Sequence, residues 1–273
     1  MDVLTHPGIL RRRAAGNRPA GIERGSLDLV KRLVQYGVSS DERSSTGETA
    51  LMVAATEGKL DIVQWLLSHS PDINAENHEG ETALHLAVLQ NHTAIALELL
   101  AYGADPKRVT HAGDTPLQLA SLNGHVEIVD ALLRAEGYSE PSDILQGALT
   151  IAALYGHPDI VASFLDAGVN PNILLPNGKT LLMQMAEYGH LQTLKLLLQS
   201  GANPNERDPS GATALMWAAY RGQLDVVRCL LQFGAMPDLK NQGGYTAAML
   251  AELNRHSEVV VCLDQAALQE KLE

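Results

Sequence analysis

The side chains in this 273-residue chain best suited to metal or nucleophile chemistry are ten histidines and two cysteines. Imidazole and thiolate are the usual zinc ligands, and a thiolate beside a base is a nucleophile. Five of the histidines, His92, His125, His157, His190 and His256, follow each other at intervals of 33, 32, 33 and 66 residues. Cys229 and Cys262 are also 33 apart, as are His78 and His111, and neither cysteine has a base next to it in sequence. Ligands of one zinc ion all lie about 2 Å from it. Whether these residues can converge therefore depends on what such an interval places side by side. Phosphate-cradling glycine loops, HExxH and GxSxG strings are absent from the sequence.

The interval belongs to the whole chain. The strings "ETALMVAATEGKLDIV", "ETALHLAVLQNHTAIA", "DTPLQLASLNGHVEIV", "GALTIAALYGHPDIV", "KTLLMQMAEYGHLQTL", "ATALMWAAYRGQLDVV" and "YTAAMLAELNRHSEVV" align on Thr49, Thr82, Thr115, Gly147, Thr180, Thr213 and Thr246, spaced 33, 33, 32, 33, 33 and 33. Gly58, Gly124, Gly156, Gly189 and Gly222 share one position, where Asn91 and Arg255 substitute; Gly47, Gly80, Gly113, Gly178, Gly211 and Gly244 share another. This pattern resembles the ankyrin repeat over residues 16 to 271. The resemblance implies an all-α solenoid of stacked helix-turn-helix units with β-hairpin or loop fingers. The units fall near 16–46, 47–79, 80–112, 113–144, 145–177, 178–210, 211–243 and 244–271, about six of them clear and the terminal ones degenerate.

Each repeated residue type has a physical reason. A threonine hydroxyl can accept from an orphan amide at the start of a first helix, and Pro116 suits the first turn. The second glycine column suits a left-handed residue that ends that helix. Ile62, Val63, Leu66 and Leu67 typify the three-and-four apolar spacing of a second helix. No unit buries its apolar face alone, so neighbours must stack. Two places depart from the pattern. Residues 136 to 146 lack finger residues, which predicts a lost finger and a weak joint. Pro19 and Gly21 predict that the first helix of the leading unit is broken or missing.

With that arrangement, residues one repeat apart lie about 8–10 Å from each other, the separation of packed helices. The histidine column is then too spread to share a zinc, and the two cysteines are too far apart for a disulfide. The family's TALH histidine, here His85, is implied to make structural hydrogen bonds. His78 and His111 are expected on exposed fingers, Trp217 in the core, and Trp65 in packing. No enzyme activity, cofactor or metal is expected.

Composition bounds the partners. The formal charge is −12, from 32 acidic and 20 basic residues, which argues against nucleic acid as the main partner. Residues 1–32 nevertheless carry seven Lys/Arg against three Asp/Glu, chiefly through "RRR" at 11–13. Residues 1–15 read as a basic arm, either disordered or able to hold an acidic surface or RNA. No secretory leader and no apolar run near the ~18 residues of a membrane helix is present in the sequence. The sparse cysteines fit a reducing compartment. The expectation is a monomer in the cytoplasm, with the nucleus left open and no membrane contact.

The resemblance places specificity on the fingers and the exposed side of the first helices. Just before each helix end the chain reads Thr56-Glu57, Leu89-Gln90, Leu122-Asn123, Leu154-Tyr155, Glu187-Tyr188, Tyr220-Arg221 and Leu253-Asn254. Tyrosine and arginine are favoured interface anchors. Leu89, Leu122 and Leu154 could equally pack against the next repeat. Tyr245 joins from a finger. In "PNILLPNGKT", Ile173 aligns with Ala75, a small, partly packed position, whereas Leu174 and Leu175 align with Glu76 and Asn77 and with Arg207 and Asp208. Polar equivalents predict two leucines exposed at a fingertip, with packing on 136–146 as the alternative. The candidate surface is thus Leu89, Leu122, Leu154, Tyr155, Leu174, Leu175, Tyr188, Tyr220, Arg221 and Tyr245, facing an unidentified protein. A regulatory or inhibitory subunit of an enzyme complex is the second reading; a small-molecule or nucleic-acid binder is the third.

Overall fold

A computed structural model describes residues 27–35, 39, 41–135 and 143–270. The basic arm at 1–15, the Pro19/Gly21 segment and residues 136–142 lie outside the described residues. Helices α1 (Leu27–Gln35), α2 (Ala50–Thr56), α3 (Leu60–Leu67), α4 (Ala83–Leu89), α5 (Thr93–Ala101), α6 (Pro116–Asn123) and α7 (Val126–Arg134) belong to a first compact unit, Met1–Glu140. Helices α8 (Asp143–Leu154), α9 (Pro158–Asp166), α10 (Leu181–Tyr188), α11 (Leu191–Gln199), α12 (Ala214–Arg221), α13 (Leu224–Gln232), α14 (Ala247–Leu253) and α15 (Ser257–Glu270) belong to a second, Pro141–Glu273.

In the first unit the inner helices α2, α4 and α6 stack in order, as do α1, α3, α5 and α7 behind them. The core is Leu51, Met52, Ile62, Leu66, Leu84, Leu86, Ile95, Leu99, Leu117 and Ile128, all fully buried. Each such side chain contributes about 2 kcal/mol by leaving water. In the second unit α8, α10, α12 and α14 form one layer and α9, α11, α13 and α15 the other, with Phe164, Leu182, Leu197, Leu215 and Leu230 buried between.

The caps form as the sequence predicts. Thr49, Thr82, Thr115, Thr180, Thr213 and Thr246 each accept the amide three residues on, at 3.2–3.5 Å. Gly147 lacks a hydroxyl, and α8 starts four residues before it. Residues 143–146, expected as irregular, are therefore the first turn of a longer helix. At the helix ends Gly222 has φ +74, and a Cβ there would sit 2.5 Å from His256 Nδ1. Asn91 and Arg255 hold the same left-handed conformation at φ 56 and 62. The backbone geometry of the column thus persists where glycine does not.

The fingers are turns rather than ladders of strands. Among the described residues the sole bridge is Leu174 with Thr180. A typical finger is closed by Asn77 N–H to Glu81 O and Gly80 N–H to Asn77 O, and joined to its neighbour by His78 N–H to Thr46 O. So few bonds per finger are too few for a strand; of the two expected forms, β-hairpin or loop, the described fingers take the loop.

Candidate functional site

One column of histidines runs along the repeats at the starts of the second helices, and His85, His92 and His256 are bonded into the framework. His92, His125, His157 and His190 stand immediately before α5, α7, α9 and α11. His92 Nε2 reaches Thr56 O at 3.1 Å, and His256 Nε2 reaches Tyr220 O at 3.2 Å, tying each second helix to the preceding repeat. His85 is buried, with Nδ1 at Thr82 and Nε2 at the carbonyls of Arg108 and Asp114. Burial lowers its pKa to about 4, and the carbonyl contacts only partly offset this. No cluster of three or more His, Cys, Asp or Glu could hold a metal ion among the described residues. Both cysteines are free, and burial pushes the Cys229 thiol above its ordinary value, away from the reactive thiolate.

The surface residues divide between the two units. In the first, Leu89 and Leu122 end α4 and α6 and are half-buried. In the second, Tyr155 follows α8, Tyr188 ends α10 and Tyr220 and Arg221 end α12, three consecutive inner helices; all four are exposed, with Leu154 half-buried beside Tyr155. Their tyrosine exposures are 45%, 51% and 40%. Tyr245, at 44%, precedes α14. Leu174 is 70% exposed, the fingertip residue the alignment predicts.

Leu175 differs: it is half-buried. Its equivalents Asn77 and Asp208 are polar yet buried, because their carbonyl or carboxylate oxygens accept amides from their own turns. A polar column was therefore a sign of turn chemistry, not of exposure. In this finger Asn177 Oδ1 supplies the missing acceptor, to Lys179 N–H, and Leu175 packs instead.

Beneath the tyrosines lies a polar network. Glu187 Oε2 accepts from Lys179 Nζ at 2.6 Å, and Oε1 accepts from Arg221 Nη2 at 2.7 Å. Lys179 Nζ also sits 3.2 Å over the Trp217 ring centre, a cation–π contact. Trp217 Nε1 donates to Asp208 Oδ2 at 3.0 Å, so the indole is half-exposed rather than core. Burial pushes the Glu187 carboxyl up, but the bonds and charges of Lys179 and Arg221 outweigh it and leave it below the usual value. Glu187 in turn holds the Arg221 guanidinium above its ordinary pKa.

A family model described as ankyrin repeats, in sets of three copies, matches residues 20–110, 70–143, 98–174, 149–241 and 182–267, which together span most of the sequence. The chain is an ankyrin-repeat protein. Ankyrin repeats are generally protein–protein interaction modules, and the fold is typically a non-enzymatic scaffold. Among solved structures, the ankyrin repeat domain of Bcl-3, described as a unique member of the IkappaB protein family, is 29% identical with a TM-score of 0.70, over 81% of this chain and 100% of that one. The human ASB11 ankyrin repeat domain is 26% identical with a TM-score of 0.64, over 79% and 98%. No curated protein matches. No helix among the described residues is long and apolar enough to cross a membrane.

The Lys179, Glu187 and Trp217 roles escaped the sequence reading of this ankyrin-repeat protein, though a signal existed. The column of Lys179 reads Glu48, Glu81, Asp114, Gln146, Lys179, Ala212 and Tyr245, so the charge reverses at one repeat. The column of Glu187 is otherwise Thr56, leucines and Tyr220. Two opposite departures in the same repeat mark a compensating pair.

Proposed function

We propose that this ankyrin-repeat protein recognises a partner protein through its second unit and performs no chemistry on it. The contact surface is formed by Tyr155, Tyr188, Tyr220 and Arg221, extended by Leu154, Tyr245 and Leu174. The observation that carries this reading is three exposed tyrosines and an arginine on adjacent helix ends, where monomer surfaces rarely gather large anchors. Leu89 and Leu122, half-buried in the first unit, are not counted in this surface. A partner covering about 800 Å² of such a surface has a standard-size interface.

The test is capture of cellular proteins by the wild-type chain and by a Tyr155→Ala, Tyr188→Ala, Tyr220→Ala variant. Circular dichroism first establishes equal folding. Losing three anchors should weaken partner binding by about 100-fold or more. Recovery of the same proteins at the same yield by both chains overturns the reading.

A further inference from the structure

We infer that the partner segment seated on this surface is acidic, with an Asp or Glu carboxylate bound on the outer edge of Arg221 between Tyr188 and Tyr220. This rests on the surface reading above and gives it a chemistry. The argument begins with the charges in the network. Lys179 is 14% exposed, hydrogen-bonded to Glu187 and pressed on Trp217, so it offers nothing outward. Glu187 is 9% exposed and has both oxygens engaged, Oε2 by Lys179 and Oε1 by Arg221. Asp208 is occupied by Ser210, by the Ala212 amide and by the Trp217 indole. One buried carboxylate thus serves two cations, and the second of these is the residue that reaches the surface.

Arg221 is 51% exposed and gives Glu187 a single Nη2 donor; its other guanidinium N–H groups meet no acceptor among the described residues. Its guanidinium carbon lies 5.5 Å from the Tyr220 ring centre, and the exposed Tyr188 holds Arg221's own column one repeat earlier. The result is a planar donor fork, held on one side and open on the other, flanked by two phenols. Carboxylates match that fork with two parallel bonds. Because Glu187 already orients the group, little side-chain freedom is lost on binding. The apolar flank of the same surface, Tyr155 and Leu253, asks for apolar or aromatic residues next to the acid; Tyr155 and Leu253 are 45% and 65% exposed.

The total charge of −12 points the other way, towards a basic partner. Screening decides between them. At physiological salt exposed charges fade beyond about 8 Å, so the bulk of the acidic residues shapes approach while the contacting group sets the preference. Glu252 is the exposed acid next to Leu253; it occupies the column of Ala219, one position before the column of Tyr220 and Leu253.

The experiment is selection of a randomised peptide library displayed on phage against the full wild-type chain, the Arg221→Gln variant and the triple tyrosine variant. The expected result is enrichment of Asp/Glu beside Leu or aromatic residues on the wild type, with the selected peptides losing about tenfold or more in affinity on Arg221→Gln. Enriched peptides that are neutral or basic, and that still lose binding on the tyrosine variant, overturn the acidic inference and leave the surface reading standing. No enrichment, or peptides that bind the tyrosine variant undiminished, overturns both. Should Arg221→Gln fail to fold, the selected peptides are titrated on the wild type beside copies with Glu replaced by Gln. Equal affinities there also overturn the inference.

Discussion

Acidification should destabilise the first unit through His85, by an amount the geometry sets. Nε2 faces the carbonyl oxygens of Arg108 at 3.1 Å and Asp114 at 3.3 Å, so it carries the proton. Nδ1 faces the Thr82 N–H at 3.2 Å, so it must keep its lone pair. A second proton would point at that N–H inside a site fully closed to solvent. The native pKa is accordingly lowered from 6.5 to about 4, with burial as the main cause. An unfolded chain takes up the proton first. The contribution is therefore complete above the unfolded value of 6.5 and is lost progressively as the pH falls towards about 4. At about 1.4 kcal/mol per pH unit, the whole gap is worth about 3 kcal/mol.

The chain supplies its own control. Gln118 occupies the equivalent position one repeat later, and its Oε1 accepts the Thr115 amide at 2.9 Å, the same cap without a titrating group. His85→Gln should therefore fold and lack the effect. Urea unfolding of both chains, followed by Trp65 in the first unit, should show wild type losing about 2 kcal/mol more than the variant between about pH 7 and about pH 4.5. The other histidines cancel in that difference. Parallel stability curves, or an NMR titration placing His85 within about half a unit of its ordinary value, would refute the tautomer argument.

Two further outcomes follow from burial. Glu187→Gln leaves Lys179 without its counter-charge and should cost about 2 kcal/mol, less than a fully buried pair because Arg221 is half in water; urea unfolding followed by Trp217 fluorescence measures it, and an unchanged midpoint contradicts the network. Leu174→Asp should leave stability within about 0.5 kcal/mol, whereas Ile173→Asp, one residue away and 5% exposed, should cost about 3 kcal/mol or more. Equal thermal shifts for the two would mean that the fingertip is packed after all.

Much of the architecture is local chemistry and so was legible. The threonine column predicts caps because a hydroxyl meets the amide three residues on whatever the surroundings. The glycine column predicts left-handed helix ends because chirality restricts that conformation, and Asn91 and Arg255 adopt it where the stack demands. Exposure at Tyr155, Tyr188, Tyr220 and Leu174 could also be read, since repeats share their solvent-facing positions.

What the sequence determined by itself is the repeat, its helix boundaries and the column each side chain occupies, because these rest on contacts within a few residues. Only the tertiary structure decided which columns speak to each other. Arg221 meets Glu187 across 34 residues, Lys179 covers a tryptophan 38 residues on, and Leu175 is half-buried although its polar equivalents suggested a wet position. Those outcomes depend on the height and rotation with which one repeat settles on the next. Packing sets these to fractions of an ångström, and a one-dimensional pattern of residue types does not contain them.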